Sequence, residues 1–299
     1  MGPTGTGKSA IALMLAKELK GEIISCDSMM VYRGMDIGTA KPSIENRKAV
    51  KHHLIDIVEI DQPYNASLYA TEATEIISEI TSRDTVPILC GGTGLYAKAL
   101  LNGYHFFPKD EALSIPIEGQ LNPRCREELL AELIAIDPVT ANRVRNNPKQ
   151  LIRAVAIVRK TRRPLRNSSS SRKHSVFSGP HWILLPDSQL LRKRIENRTH
   201  AMLQNGWIDE TKGLVEKGLL LMPTASKALG YAQIAAYLQG QIKSRNDLAE
   251  KIIILTCQYA KRQRTWFRHQ HPDALKLELK EEWNESKIVE IMLATLDYA

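Results

Sequence analysis

Apolar residues at Ile11, Leu13, Leu15, Ala16 and Leu19 recur at helical spacing through 9–20, predicting a helix packed on a sheet and stopped by Gly21. Residues 22–26 form a short apolar run that reads as a strand, with Asp27 at its carboxyl end. Residues 54–58 read as another strand. Residues 67–81 read as a helix with Ser67 as its N-cap. A buried-type strand over 86–90 ends in Gly91-Gly92-Thr93-Gly94, and a helix follows from Leu95 to Leu101. This alternation predicts a parallel sheet flanked by helices. Residues 104–123 carry prolines and little periodicity and read as a connection, 124–163 are helical in pattern, and 167–171 form a polar tract. A strand over 181–185 returns to the parallel sheet. Helices then follow over 189–204, 208–216, 231–239 and 247–268. The organisation predicted is an α/β core, 1–109 with 176–299, interrupted by a helical insertion over 110–175.

Composition adds one bias. The 299 residues carry a net charge of +8 with ordinary apolar content, and an excess of cations points to a polyanionic partner. From Arg143 to Arg198 the acids are Asp187 and Glu196 alone, against a long series of Arg and Lys. A solvated helix face would mix signs, so this span suggests contact with a phosphate backbone. A second cluster, Lys261–His269, sets Trp266 and Phe267 among cations, a pattern suited to stacking unpaired bases or, alternatively, a basic surface helix with both aromatics in the core. Four widely spaced cysteines suggest reduced thiols in the cytoplasm. No apolar run approaches the ~20 residues of a membrane span, and no signal peptide pattern is visible.

The chemistry begins at Gly2-Pro3-Thr4-Gly5-Thr6-Gly7-Lys8-Ser9, a G-x-x-x-x-G-K-S loop. Glycines let successive N–H groups converge on phosphate oxygens, and the following helix adds its positive end. Lys8 reaches a terminal phosphate, and the Ser9 hydroxyl is a ligand for Mg²⁺. The fold class is therefore P-loop NTPase-like. In such folds a strand precedes the loop. Because the chain begins at Met1, the natural protein is expected to be a few residues longer, or this one to be impaired.

Several ordered motifs extend along the chain: the loop itself, Asp27-Ser28-Met29-Met30-Val31-Tyr32, Met35–Pro42, His53–Asp56, Gly91–Tyr96, Arg194–Arg198, Gly230–Gln233 and Lys261–Phe267. Together they resemble the tRNA dimethylallyltransferase (tRNA isopentenyltransferase) family over nearly the whole chain. The resemblance implies transfer of a dimethylallyl group from dimethylallyl diphosphate to N6 of the adenine immediately 3′ of the anticodon, with the cradle serving a prenyl diphosphate in place of ATP. It implies Asp27 as general base, and Thr4, Lys8, Ser9 and Arg198, with Arg194 as runner-up, at the diphosphate. Asp27, Ser28, Met29, Met30, Thr93, Ser114, Lys149, Gln150 and Arg153 would meet the anticodon stem-loop. The partners implied are tRNA and dimethylallyl diphosphate with Mg²⁺, the enzyme acting as a cytoplasmic monomer. Met30 stands where the family often has Gln. Gln150 replaces an arginine in a shortened run, and Ser114 stands where an arginine is frequent. The alternatives are a P-loop small-molecule kinase and an adenylate isopentenyltransferase, either of which leaves the long basic span without a purpose.

Overall fold

The computed structural model describes residues 1–101, 122–165, 179–271 and 273–296. The chain divides into two compact units, 1–101 with 176–299, and 102–175. Ser114, the 104–121 part of the expected connection and the 167–171 tract lie outside the described residues.

The larger unit is a mixed α/β structure. Helix α1 (Lys8–Glu18) is followed by β1 (Glu22–Cys26), α2 (Ile44–Ala49), β2 (His52–His53), α3 (Ala66–Ser82), β3 (Pro87–Gly91) and α4 (Gly94–Leu101). The three strands pair in parallel with β1 central, in the order β2-β1-β3. A second parallel pair joins β4 (Trp182–Pro186) to β5 (Leu275–Leu279). Met1 and Gly2 stand between the two sheets. The Leu184 N–H donates to the Met1 carbonyl at 2.9 Å, and the Gly2 N–H donates to the Gly91 carbonyl at 3.3 Å. Four of the five β1 residues are buried, as expected of a parallel strand covered on both faces.

The remaining helices of this unit are α8 (Ser188–Gln204), α9 (Trp207–Glu216), α10 (Tyr231–Leu238), α11 (Arg245–Gln270) and α12 (Glu285–Leu296). Ile11 and Leu15 of α1 bury one helical face against Leu184, Leu279, Ile288, Val289 and Met292. Burying such a side chain contributes about 1.5–3 kcal/mol, so α12 and β5 close the core beneath the glycine loop. In the smaller unit, α5 (Pro123–Ile136), α6 (Pro138–Val144) and α7 (Pro148–Thr161) pack around Leu129, Leu133, Val144, Leu151, Val155 and Val158. Each of the three starts with proline after a capping Asn or Asp, a residue pair that ends one helix and opens the next.

Local details differ from the sequence pattern. The segment 54–58 is not a strand: Leu54 and Asp56 take φ of 60° and 57°, a left-handed conformation that breaks the pleat, and the paired residues are His52 and His53. Asn65, not Ser67, caps α3, its side chain accepting from the amides of Ser67 and Leu68. Lys20, at φ 49°, supplies the left-handed residue after α1. Gly21 serves close approach instead, since a Cβ there would lie 2.6 Å from the Val86 carbonyl oxygen. Strand β4 pairs with β5, not directly with β3. Helices α2 and α12 and strand β5 lack any counterpart in the sequence reading.

His181 and His271 meet edge to face at 4.9 Å beside the Met1 amine, and both Nε2 atoms are buried with no hydrogen-bond partner among the described residues. Burial, then the neighbouring amine, lowers His181 to about 4, and burial also lowers His271. Burial likewise lowers the Met1 amine to about 6. These groups bind protons in the unfolded chain at pH values where the native state leaves them neutral. Stability therefore rises with pH across this range and is lost on acidification. Scanning calorimetry should give a Tm that falls steadily from pH 8 to pH 5, with a shallower fall in His181→Asn. Parallel slopes for the two proteins would contradict this assignment.

Candidate active site

The glycine loop holds its shape through few internal bonds. Gly5 and Gly7 take φ of 83° and 84°, open to glycine at no steric cost. The Thr6 hydroxyl donates to the Pro3 carbonyl at 3.0 Å, and the Lys8 ammonium donates to the same carbonyl at 2.5 Å. Gly7 is the N-cap of α1 and offers no side chain, and the first turn holds no acid. The opening amides of α1 are thus left for an anion, with the positive end of the helix dipole behind them.

Helix α8 closes one flank. Leu191, Ile195, Thr199 and Leu203 bury one stripe, and a Cβ at Gly5 would lie 3.0 Å from Ile195 and 3.1 Å from Leu191. Arg194 and Arg198, four apart, lie on one face of the helix. Arg194 Nη1 donates to the Thr6 carbonyl at 3.2 Å, and Arg198 Nη2 donates to the Thr4 hydroxyl at 2.9 Å. The buried Arg198 Nε finds no partner among the described residues. Both arginines therefore touch the loop, and Arg198 keeps a donor in reserve.

Asp27 follows the central strand, at the carboxyl edge where open α/β sheets take their ligands. Its Oδ1 accepts from the Met29 and Met30 amides at 2.9 and 3.4 Å, which fixes the carboxylate in a turn. Thr93, after β3, donates its hydroxyl to Ser28 Oγ at 3.3 Å and accepts from the Ser28 amide at 3.0 Å. The two strand ends meet at Gly91, where a Cβ would lie 2.1 Å from the Cys26 carbonyl oxygen. Met30 is turned toward β1, its sulfur 3.8 Å from the Ser25 hydroxyl. Burial lowers Lys8 to about 8, with nearby Arg198 adding to the effect and Asp27 opposing it. Burial also lowers Arg198, again against Asp27. Two desolvated cations and a carboxylate thus share one space, a pattern of functional sites.

Sequence reasoning missed Gln263. It sits 7% exposed on α11, with its Oε1 accepting from the Thr4 amide at 2.8 Å and its Nε2 donating to the Gly92 carbonyl at 2.7 Å. Its place inside Lys261–Phe267 was a signal, but nothing in the spacing shows that it faces inward. The same helix decides the fate of the aromatic cluster. Phe267 is fully buried against Ile183 and Leu185 and is a core residue. Trp266 packs on Gly94, with Lys98 Nζ 6.0 Å from its ring centroid. Lys261, Arg262, Thr265 and His269 stay exposed. Lys149, Gln150 and Arg153 lie exposed on α7 of the smaller unit, with the Gln150 amide donating to Asn147 Oδ1.

Among the described residues no group of three or more His, Cys, Asp or Glu could hold a metal. The exposed Ser9 hydroxyl at the head of α1 fits Mg²⁺ only together with phosphate oxygens and water, the way this cation is commonly bound.

A family model described as IPP transferase matches residues 30–270. The tRNA dimethylallyltransferase of Kocuria rhizophila is 40% identical over 270 residues, covering 89% of this chain and 84% of that protein. The enzyme of the same name from Thermus thermophilus is 39% identical over 277 residues, covering 92% and 90%. The tRNA Δ(2)-isopentenylpyrophosphate transferase of Staphylococcus epidermidis superposes with a TM-score of 0.72 at 32% identity, covering 100% of this chain and 97% of that one.

With Lys8 titrating near pH 8, the loop loses a positive charge as pH rises through that value. Calorimetric titration with inorganic pyrophosphate should show affinity falling between pH 7.5 and 9.5 relative to Lys8→Arg, whose guanidinium stays charged. The ligand's own titration is common to both proteins. An unchanging ratio would place the Lys8 charge outside the binding site.

Proposed function

The chain belongs to the IPP transferase family, and from that premise we propose that it transfers a dimethylallyl group from dimethylallyl diphosphate to N6 of the adenine immediately 3′ of the anticodon in tRNA, releasing pyrophosphate. The observation that carries this reading is the placement of the Asp27 carboxylate at the carboxyl end of the central strand, in the field of Lys8 and Arg198. In this reading a diphosphate seated on the opening amides of α1 would present its allylic carbon to that carboxylate.

Lys8, Arg198 and the loop amides neutralise the charge that grows on the departing diphosphate, and such preorganised donors supply much of an enzyme's rate enhancement. The Thr4 hydroxyl, already held by Arg198, adds a donor. Mg²⁺, held by Ser9 and the diphosphate, would make pyrophosphate a better leaving group. The adenine amine is a weak nucleophile because its lone pair is delocalised into the ring. Asp27 takes a proton from N6 as the N6–C1 bond forms and the C1–O bond breaks, the carbon–oxygen pair leaving with pyrophosphate. The adenine reaches this point by leaving its stack. Asp27–Met30 and Thr93, knit together at the strand ends, line its entry. The exposed cations of α11, with Lys149, Gln150, Arg153 and Ser114, would hold the stem-loop.

The reading includes a single chain working in the cytoplasm on a soluble substrate. It is consistent with four free cysteines and with the finding that, among the described residues, no helix is long and apolar enough to cross a membrane. A metabolite kinase would use the same cradle but not the exposed cations of α11, and an adenylate isopentenyltransferase would have no use for them either.

Incubating the protein with labelled dimethylallyl diphosphate, Mg²⁺ and an unmodified transcript should label the RNA. Replacing the adenine 3′ of the anticodon by guanine should abolish the label. In parallel incubations with AMP in place of the transcript, or with ATP alone, label on AMP with none on RNA would favour the adenylate enzyme, and turnover of ATP alone the kinase. Asp27→Asn should lower kcat by about 10²–10⁴-fold while leaving RNA affinity within a few-fold. Near-normal turnover in that variant would remove Asp27 from the base role.

A further inference from the structure

We propose that Gln263 is a positioning residue that couples the diphosphate loop to the helix bearing the RNA-facing cations, so that filling either site alters affinity at the other. This rests on the functional reading above. Both ends of its buried amide are committed: Oε1 to the Thr4 amide at 2.8 Å, Nε2 to the Gly92 carbonyl at 2.7 Å. A backbone N–H can only donate and a carbonyl can only accept, so these partners fix the amide in one orientation. The side chain also reaches Tyr259, one turn earlier on α11, whose phenol is pushed up to about 12 by burial and then by the Asp27 charge. At Gly92 a Cβ would lie 2.5 Å from Gln263 Nε2, so a side chain there would push this amide aside.

The chain of contacts is continuous. Lys261, Arg262 and Thr265 are exposed on α11, and Gln263 points inward from the same turns. It grips Thr4, and the Thr4 hydroxyl takes the Arg198 hydrogen bond at 2.9 Å. Its other end holds Gly92, next to Thr93, which anchors Ser28. One side chain thus spans the three segments that must be in register for reaction: the cradle, the loop after β3 and the RNA-facing helix. A shift of α11 on RNA binding would be passed to Thr4 through two hydrogen bonds whose loss would strand buried polar groups. Linkage makes the effect reciprocal.

The test measures the Kd of magnesium pyrophosphate with and without a saturating unmodified anticodon stem-loop, on the full chain. In the wild type the RNA should change that Kd by about five-fold or more, the lower end of ordinary coupling. In Gln263→Met, similar in volume but unable to make either bond, the ratio should fall toward one while each ligand still binds alone. Gln263→Glu, which keeps the acceptor for Thr4 but loses the donor to Gly92, should fall between. A Gln263→Met ratio equal to that of the wild type would overturn the proposal, as would a wild type that binds both ligands independently. A wild type that binds neither ligand would instead overturn the functional reading, and the coupling with it. Should the variants fail to fold, hydrogen exchange on the wild type decides: stem-loop RNA alone should change exchange across residues 2–9, and unchanged exchange there rejects the coupling.

Discussion

Everything at the active site depends on a glycine loop that cannot hold its own conformation. Its internal bonds run from the Thr6 and Lys8 side chains to the Pro3 carbonyl, and α1 opens with no side-chain cap on its amides, which is what an anion site needs and what a folded chain ordinarily avoids. The protein resolves this by gripping the loop from outside. Arg194 and Arg198 hold it from α8, and Gln263 holds it from α11. Gly2 ties it to Gly91. Each of these side chains comes from more than 180 residues away in sequence, as the separations of 188, 194 and 259 show.

The electrostatics follow from the same packing. Burial penalises charge at Lys8 and Arg198, and Asp27 is the carboxylate that offsets it for both. A protein built only for stability would pair each buried cation directly, since a desolvated and unpaired charge is costly. Leaving both partly unpaired reserves their charge for a polyanionic ligand. The shared field sets the Asp27 carboxylate and the two cations beside the loop in one charge arrangement, the arrangement that the proposed reaction would use.

Other motif residues serve the scaffold. Glu210 accepts from the amides of Asp36, Ile37 and Gly38 and from the Tyr231 hydroxyl. Lys41, nearly inaccessible, bridges Asp36 and Asp56. These bonds lock Met35–Pro42 and Asp56 to α9 and α10, and Gly38 and Gly230 are glycine because Trp207 and Tyr231 leave no room for a Cβ. Residues from three of the motifs that carry the family resemblance are thus tied into one structural knot.

The sequence by itself determined α1, β1, α3, β3 and α4, the phosphate loop and the position of Asp27 at a strand end, because periodicity, glycine spacing and charge are local properties. It also determined the cationic character of α11. It mistook 54–58 for a strand and Ser67 for a cap, since left-handed residues such as Leu54 and the choice among neighbouring capping side chains are settled by surroundings. It did not distinguish stacking from core roles for Trp266 and Phe267, because helical spacing does not say which side of a helix meets the sheet. Only the tertiary structure buried Phe267, paired β4 with β5, and brought Gln263, Arg198 and Thr4 into one network. Those contacts join residues far apart along the chain, and their partners are chosen by packing, which no local pattern encodes.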